Sequence, residues 1–247
     1  MKIAEIYRSI QGEGFLTGTE SAFVRASGCN LRCWYCDTPF ASWTPEGDDL
    51  GVDEIVAAVD ELGCHHVVLT GGEPMLFAEL IPLCRTLAAA GRHITIETAG
   101  TLYLPVECDL MSISPKLANS TPTADSLGAA AGLPGSAAGL SSIESAPRWS
   151  SRHERARHAP DVIRQLVHEH AYQFKFVVDT PDDCAEVEEY LAGFPEIERS
   201  RVMLMPQGTD LASLAEQAAW LEPYCREHRL HFCPRKQIEW FGFVRGT

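Results

Sequence analysis

The sequence predicts an α/β fold: a mostly parallel sheet with helices outside it, a barrel being one form such a sheet takes. Short β-branched or aromatic runs alternate with amphipathic stretches along most of the 247 residues. The chain is 45% apolar and 22% charged, a globular composition with ample material for a core. No fixed-period repeat points to a solenoid instead.

The elements follow in order. Tyr7 and Ser21-Ala22-Phe23-Val24-Arg25 supply one or two strands before the first helix. Residues 52–62 place Val52, Ile55, Val56 and Val59 on one face, with Asp53 and Glu54 in the first turn where the helix dipole favours acids. Val67-Val68-Leu69, His93-Ile94-Thr95-Ile96-Glu97 and Leu110-Met111-Ser112-Ile113 read as strands bounded by turn residues. In residues 118–147 the pattern breaks: 23 of 30 are Ala, Gly, Ser, Thr or Pro, too few large apolar groups to order a core. This reads as a flexible insertion within one domain spanning 1–247 rather than a linker, because strand–helix alternation resumes after it. Residues 148–158 carry a basic patch that reads as a solvated helix face. Phe174-Lys175-Phe176-Val177-Val178 and Val202-Met203-Leu204-Met205 are further strands. Thr180-Pro181 opens a helix with a cap and a proline at its first position, its stripe being Val187, Tyr190, Leu191 and Phe194. Leu211, Leu214, Ala215, Ala218 and Leu221 mark the last long helix.

A net charge of −14 argues against nucleic acid and against anionic membranes as partners. No run approaches a membrane span, and Glu5 stands where a signal peptide needs its apolar segment, so a cytoplasmic location is expected. In a reducing compartment, clustered cysteines are ligands or reactive groups rather than a disulfide framework.

Cys29-Asn30-Leu31-Arg32-Cys33-Trp34-Tyr35-Cys36 spaces three thiols as C-x3-C-x2-C. Three thiolates on one loop can converge on a soft metal centre. No fourth Cys or His follows at local spacing. A four-iron cube on three thiolates therefore leaves one iron open to a substrate or cofactor. The alternatives are a zinc knuckle completed by a distant Cys64 or Cys233, or three unrelated cysteines. About 35 residues on, Thr70-Gly71-Gly72-Glu73-Pro74 follows a strand. Adjacent glycines let a ligand meet bare backbone, and a carboxylate suits an ammonium. Cys64, Cys84, Cys108, Cys184, Cys225 and Cys233 read as buried small hydrophobes, and the histidines show no ligand spacing.

These motifs resemble the radical S-adenosylmethionine enzymes. The combination of Ser9-Ile10-Gln11-Gly12-Glu13-Gly14, Phe23-Val24-Arg25, Gly28-Cys29-Asn30-Leu31, Cys36-Asp37-Thr38, Thr70-Gly71-Gly72-Glu73-Pro74 and Ser114-Pro115-Lys116 is similar, within that class, to the 7-carboxy-7-deazaguanine synthase family. The likeness is close over 5–117, looser over 171–208 and absent over the insertion. It implies a partial (β/α) barrel, and one 4Fe–4S cluster per subunit on Cys29, Cys33 and Cys36. S-adenosylmethionine would be held by Tyr35, Cys36, Asp37, Gly72 and Glu73, with Ser114, Pro115 and Lys116, and with Met205, Pro206, Gln207 and Gly208, where the sequence departs from the family's usual form. It implies Mg²⁺ on Thr38, and a pterin bound by Ile10, Gln11, Gly12, Arg25 and Thr70, Arg25 pairing with its carboxylate. The implied reaction is radical ring contraction of 6-carboxy-5,6,7,8-tetrahydropterin with loss of ammonia, S-adenosylmethionine being regenerated, in queuosine and deazapurine biosynthesis. An electron donor, flavodoxin-like or other, and a homodimer complete the implied partners. A glycyl-radical activase is the competing enzyme, disfavoured by Gln11-Gly12-Glu13-Gly14 and Thr38. A zinc-binding protein without catalysis is the competitor from another class. The tail over 233–240 mixes bases with aromatics and suits either a cover for the site or a dimer contact.

Overall fold

The computed structural model describes residues 1–130 and 146–247. Strand β1 (Lys2–Ile10) pairs antiparallel with β2 (Glu20–Ala26) on one side and with the short β3 (Asp48–Asp49) on the other. From β2 onward every pairing is parallel: β4 (His66–Gly71), β5 (His93–Thr98), β6 (Leu110–Ile113), β7 (Tyr172–Val178), β8 (Val202–Pro206) and β9 (His231–Phe232). The nine strands run in the order β3-β1-β2-β4-β5-β6-β7-β8-β9, open at both ends. This is the mostly parallel, partial-barrel sheet that the sequence predicts.

Each predicted strand is present, and β1 reaches well beyond Tyr7. Helix α1 (Pro39–Ser42) is a single turn after the cysteine loop. Helix α2 (Val52–Leu62) has the expected bounds, and Gly63 ends it in the left-handed conformation at φ 68°. Helix α3 (Leu80–Ala89) is a crossover that the sequence reading passes over. Ordered structure also enters the segment read as a flexible insertion. Ala118–Ser120 forms a 3-10 turn, and α4 (Ala124–Ala130) follows. Thr123 and Ser126 cap one another's backbone N–H groups at its start. Composition misses this because capping hydroxyls satisfy helix ends without an apolar face. The rest of that reading, 131–145, lies outside the described residues. Helices α5 (Ala146–Arg157), α6 (Pro160–Glu169), α7 (Pro181–Ala192), α8 (Leu211–Glu227) and α9 (Lys236–Phe241) complete the chain.

Strand alternation sorts the sheet into two faces. Val24 and Ala26, Val67 and Leu69, Ile94 and Ile96, Met111 and Ile113, Phe174 and Phe176, Val202 and Leu204 share the core with the helices. Each fully buried Ile, Leu or Phe of this kind contributes on the order of 1.5–3 kcal/mol. The opposite face sets charged and polar groups among apolar ones such as Phe23, Val68 and Val177, unlike an ordinary parallel sheet, which is apolar on both sides. Arg25, Thr70, Glu97, Ser112 and Lys175 point from it into a shared cavity. Because the strands run parallel, their carboxyl ends form one rim, and the loops that leave it surround that cavity.

Candidate active site

The cysteine loop leaves β2 at the rim. Its first turn needs Gly28, which has φ 141° and donates its N–H to the Ala41 carbonyl at 2.7 Å. The neighbouring glycine turn is bonded to it: the Glu73 N–H donates to Gly28 O at 2.8 Å and the Gly72 N–H to Ala26 O at 3.0 Å. The two motifs therefore form one structure, although Thr70 follows Cys36 by 34 positions. Cys29, Cys33 and Cys36 all line the cavity, which has a volume of about 590 Å³, within the usual range of ligand pockets. Neither Cys64 nor Cys233, the thiols that would complete a zinc set, lines it.

Burial pushes the Cys33 thiol up to about 12 and raises Cys29 and Cys36 as well. As thiols they stay protonated, and a metal would replace those protons. Cys36 Sγ sits 3.1 Å from Ser42 Oγ, a polar contact suited to a thiolate. Among the described residues no His, Cys, Asp or Glu trio stands at coordinating separation as it is. What fits a three-thiolate cluster is the donor set: three soft ligands on one loop, facing one space, with no fourth beside them.

The loop is braced from outside. Trp43 Nε1 donates to Cys33 O at 3.0 Å and Trp34 Nε1 to Asn119 O at 2.6 Å. The Arg32 N–H donates to His153 Nδ1 at 3.1 Å, so the ring is the tautomer whose Nε2–H donates to Ser120 Oγ at 2.8 Å. Burial keeps His153 neutral, its pKa lowered to about 4. The basic patch expected as a solvated face is therefore half interior. Arg157 is also buried, bonded to Glu154, Glu186 and the Lys116 carbonyl.

Most of the expected binding residues reach the cavity: Tyr35, Asp37, Thr38, Gly72, Ser114, Lys116, Met205 and Gln207, with Ile10, Gln11, Gly12, Arg25 and Thr70. Four do not. Glu73 is fully buried, its carboxylate accepting from Thr98 Oγ1 at 2.8 Å, Ala99 N at 2.9 Å and Met75 N at 3.1 Å. These bonds fix the turn, and Glu73 is not among the residues that line the cavity. Pro115 is buried behind Ser114 and Lys116, Pro206 ends β8, and Gly208 O accepts from Arg235 Nη1 at 2.6 Å. Arg25 is no surface residue. Its Nε donates to Glu5 at 2.8 Å and its Nη2 to Tyr7 Oη at 2.8 Å, while Tyr7 stacks on Phe23 with ring centroids 5.2 Å apart.

The sequence reading gave no role to the charges at the cavity floor. Lys175 Nζ lies 2.6 Å from Glu97 and 3.1 Å from Glu13. Thr70 Oγ1 donates to the other Glu97 oxygen at 2.9 Å. Half-buried Glu13 also faces Arg235 and Gln237; the Lys175 and Arg235 cations, with the Gln237 hydrogen bond, hold its carboxyl down at about 2 against the cost of burial. Arg235 also pairs with Asp37. The available signal was parity: Glu97 and Lys175 are lone charges inside β-branched or aromatic runs, on the side opposite the core residues. The tail folds over the mouth. The Lys236 N–H donates to Gly12 O at 3.0 Å, and 242–247 line the opening.

A polar-floored partial barrel with three thiols on its first rim loop is the architecture of a radical S-adenosylmethionine enzyme, and the Radical SAM superfamily model matches residues 23–115. The chain is 44% identical to the 7-carboxy-7-deazaguanine synthase of Rhodopirellula baltica over 99% of this chain and 88% of that one. Its identity to the synthase of Halobacterium salinarum is 39%, covering 96% and 89%. The fold matches the crystal structure of QueE from Escherichia coli with a TM-score of 0.65 at 21% identity, covering 94% and 92%. The chain belongs to the 7-carboxy-7-deazaguanine synthase family.

Proposed function

We propose that the chain acts as a lyase on 6-carboxy-5,6,7,8-tetrahydropterin, contracting its ring to 7-carboxy-7-deazaguanine with loss of ammonia. One observation carries the site assignment: the cluster thiols and the buried polar floor open into the same cavity. When bound on Cys29, Cys33 and Cys36, the cluster supplies the electron that makes S-adenosylmethionine a source of a hydrogen-abstracting radical. The protein's own part is binding, orientation and exclusion of water. Arg25, fixed by Glu5 and Tyr7, presents a guanidinium edge to the substrate carboxylate. Glu97, paired with Lys175, accepts N–H groups of the heterocycle. The Gln11–Gly12 backbone borders the ring plane. Tyr35, Asp37, Gly72, Ser114, Lys116, Met205 and Gln207 surround S-adenosylmethionine, and Thr38 offers a hydroxyl to Mg²⁺, a cation that takes oxygen and few protein ligands. The tail closes the mouth. The reading extends to one domain over 1–247 with an insertion at 118–147, a homodimer, an external one-electron donor and a cytoplasmic location. Among the described residues no helix is long and apolar enough to cross a membrane.

The test is anaerobic reconstitution, then iron, sulfide and zinc analysis, then pterin binding with and without Mg²⁺. About four irons and sulfides per chain, loss of both in Cys29→Ala, and Mg²⁺-strengthened pterin binding are expected. Zinc in place of iron would overturn the cluster, and a loaded protein indifferent to the pterin would overturn the substrate.

A further inference from the structure

Helix α5 presents a second, unassigned feature. Its buried side ends on the cysteine loop through His153, while Arg148, Arg152 and Arg155 recur at positions i, i+4 and i+7, one stripe of the helix, and all three are exposed. The stripe is basic in a chain of net charge −14. Glu154, the one acid of α5, is taken up by Arg157 and Thr121. Packed side chains connect the stripe to the loop. The Arg152 guanidinium lies 5.7 Å from the Trp149 ring, and Arg32 lies over that ring at 4.9 Å. Trp149 meets Trp43 edge-on at 6.1 Å, and Trp43 donates to Cys33 O. Arg157 and His153 hold the helix in place from beneath, so the surface is presented ready-made.

We propose that this arginine stripe is the docking surface for an acidic one-electron carrier protein that reduces the cluster. The inference rests on the reading of Cys29, Cys33 and Cys36 as the cluster site. One electron passes from the reduced flavin or iron–sulfur centre of the carrier to the oxidised cluster; the carrier is oxidised by one electron and no bond is made or broken. Charge complementarity selects the partner. A small acidic protein meets the local positive stripe, and the acidic remainder of this chain repels it from other faces, which orients the encounter. A long polyanion would extend beyond the stripe onto that acidic surface, which disfavours nucleic acid.

The experiment compares the unaltered chain with an R148E/R152E/R155E variant and with an R226E control on the remote helix α8. Binding of a flavodoxin and of a ferredoxin is followed by calorimetry across a salt series, on unloaded and loaded protein. Cluster reduction is followed by loss of visible absorbance, with each carrier and with dithionite. The triple variant is expected to lose at least about tenfold in affinity at low salt and to lose most of its salt dependence. Reduction by the carrier slows in proportion, while reduction by dithionite and iron content stay unchanged. The flavodoxin and ferredoxin arms identify which carrier chemistry fits. Unchanged carrier binding in the triple variant would overturn the proposal, as would equal loss in the control. Loss of self-association or of added tRNA binding with carrier binding intact would overturn it too, giving the stripe to another partner. Binding to the unloaded chain reads the surface even if the cluster assignment fails.

Discussion

Lys175 is the residue on which the cavity floor depends most. It is 4% exposed and stands between two carboxylates, and both raise its pKa against the cost of burial. Lys175→Met leaves Glu13 and Glu97 near one another without their shared cation. Removing one partner of a buried pair costs about 3–5 kcal/mol, so a melting temperature lower by several degrees is expected, together with weakened pterin binding, and Lys175→Arg should restore part of both. Chemical denaturation and substrate titration check this. Glu13 makes the pH prediction. Its carboxyl is held near 2, below the usual 4.5, so its contribution to stability is present above about pH 4.5 and is lost as pH falls toward 2. The size is on the order of 3 kcal/mol. Glu13→Gln should flatten that part of the stability–pH curve and leave its shape above pH 5 unchanged; an unaltered acid limb would contradict the assignment. The sequence did carry both residues, as a motif Glu and a charge inside a strand. Their contact, across 162 positions, is a product of the fold and has no local signature.

The elements that matter most are the two rim turns and α5. Gly72 lies where a Cβ would overlap Gly28 O and Ala41 O, both backbone atoms that cannot swing aside. Gly72→Ala should therefore push the cysteine loop off the glycine turn. Iron uptake on reconstitution and S-adenosylmethionine affinity should both fall at least about tenfold, the equivalent of 1.4 kcal/mol, with circular dichroism near normal. Unchanged iron content would contradict the view that the two motifs form one structure. His153→Ala leaves the Arg32 N–H and the Ser120 hydroxyl without their bridge, at a cost of about 1–3 kcal/mol. Its expected signature is a cluster that loads but is lost faster to a chelator, with His153→Gln partly protective. Helices α2, α7 and α8 and the core strands β2 and β4 to β8 were legible because burial imposes period 2 or 3.6 on the residues, whereas α3 and α6 were not read. Helix α5 was half legible. Its sequence shows the bases, but which of them turn inward is decided by the cysteine loop, remote in sequence. Around Glu73, three donors of the β4 and β5 turns hold the carboxylate, a set that the local motif does not reveal.

At the scale of the molecule, one sheet divides two kinds of chemistry. Along each strand from Ala22 to Leu204, alternate residues build an apolar core with the helices, and those between them face the cavity and supply its charged groups. That floor opens at the rim, where the thiol loop, the glycine turn and the tail converge. Tail placement over the mouth was not legible in 233–240: it is set by Glu13, Asp37 and Gly12, which meet Arg235, Gln237 and Lys236. Such an enclosed site predicts that a radical made at the thiol loop is returned there and does not escape to solvent. The direct measurement is anaerobic turnover with 6-carboxytetrahydropterin, S-adenosylmethionine, Mg²⁺ and a reductant, counting deazaguanine product by mass against S-adenosylmethionine consumed. Many products per S-adenosylmethionine lost are the predicted result. S-adenosylmethionine cleaved one for one with product, or cleaved with the pterin unchanged, would contradict it.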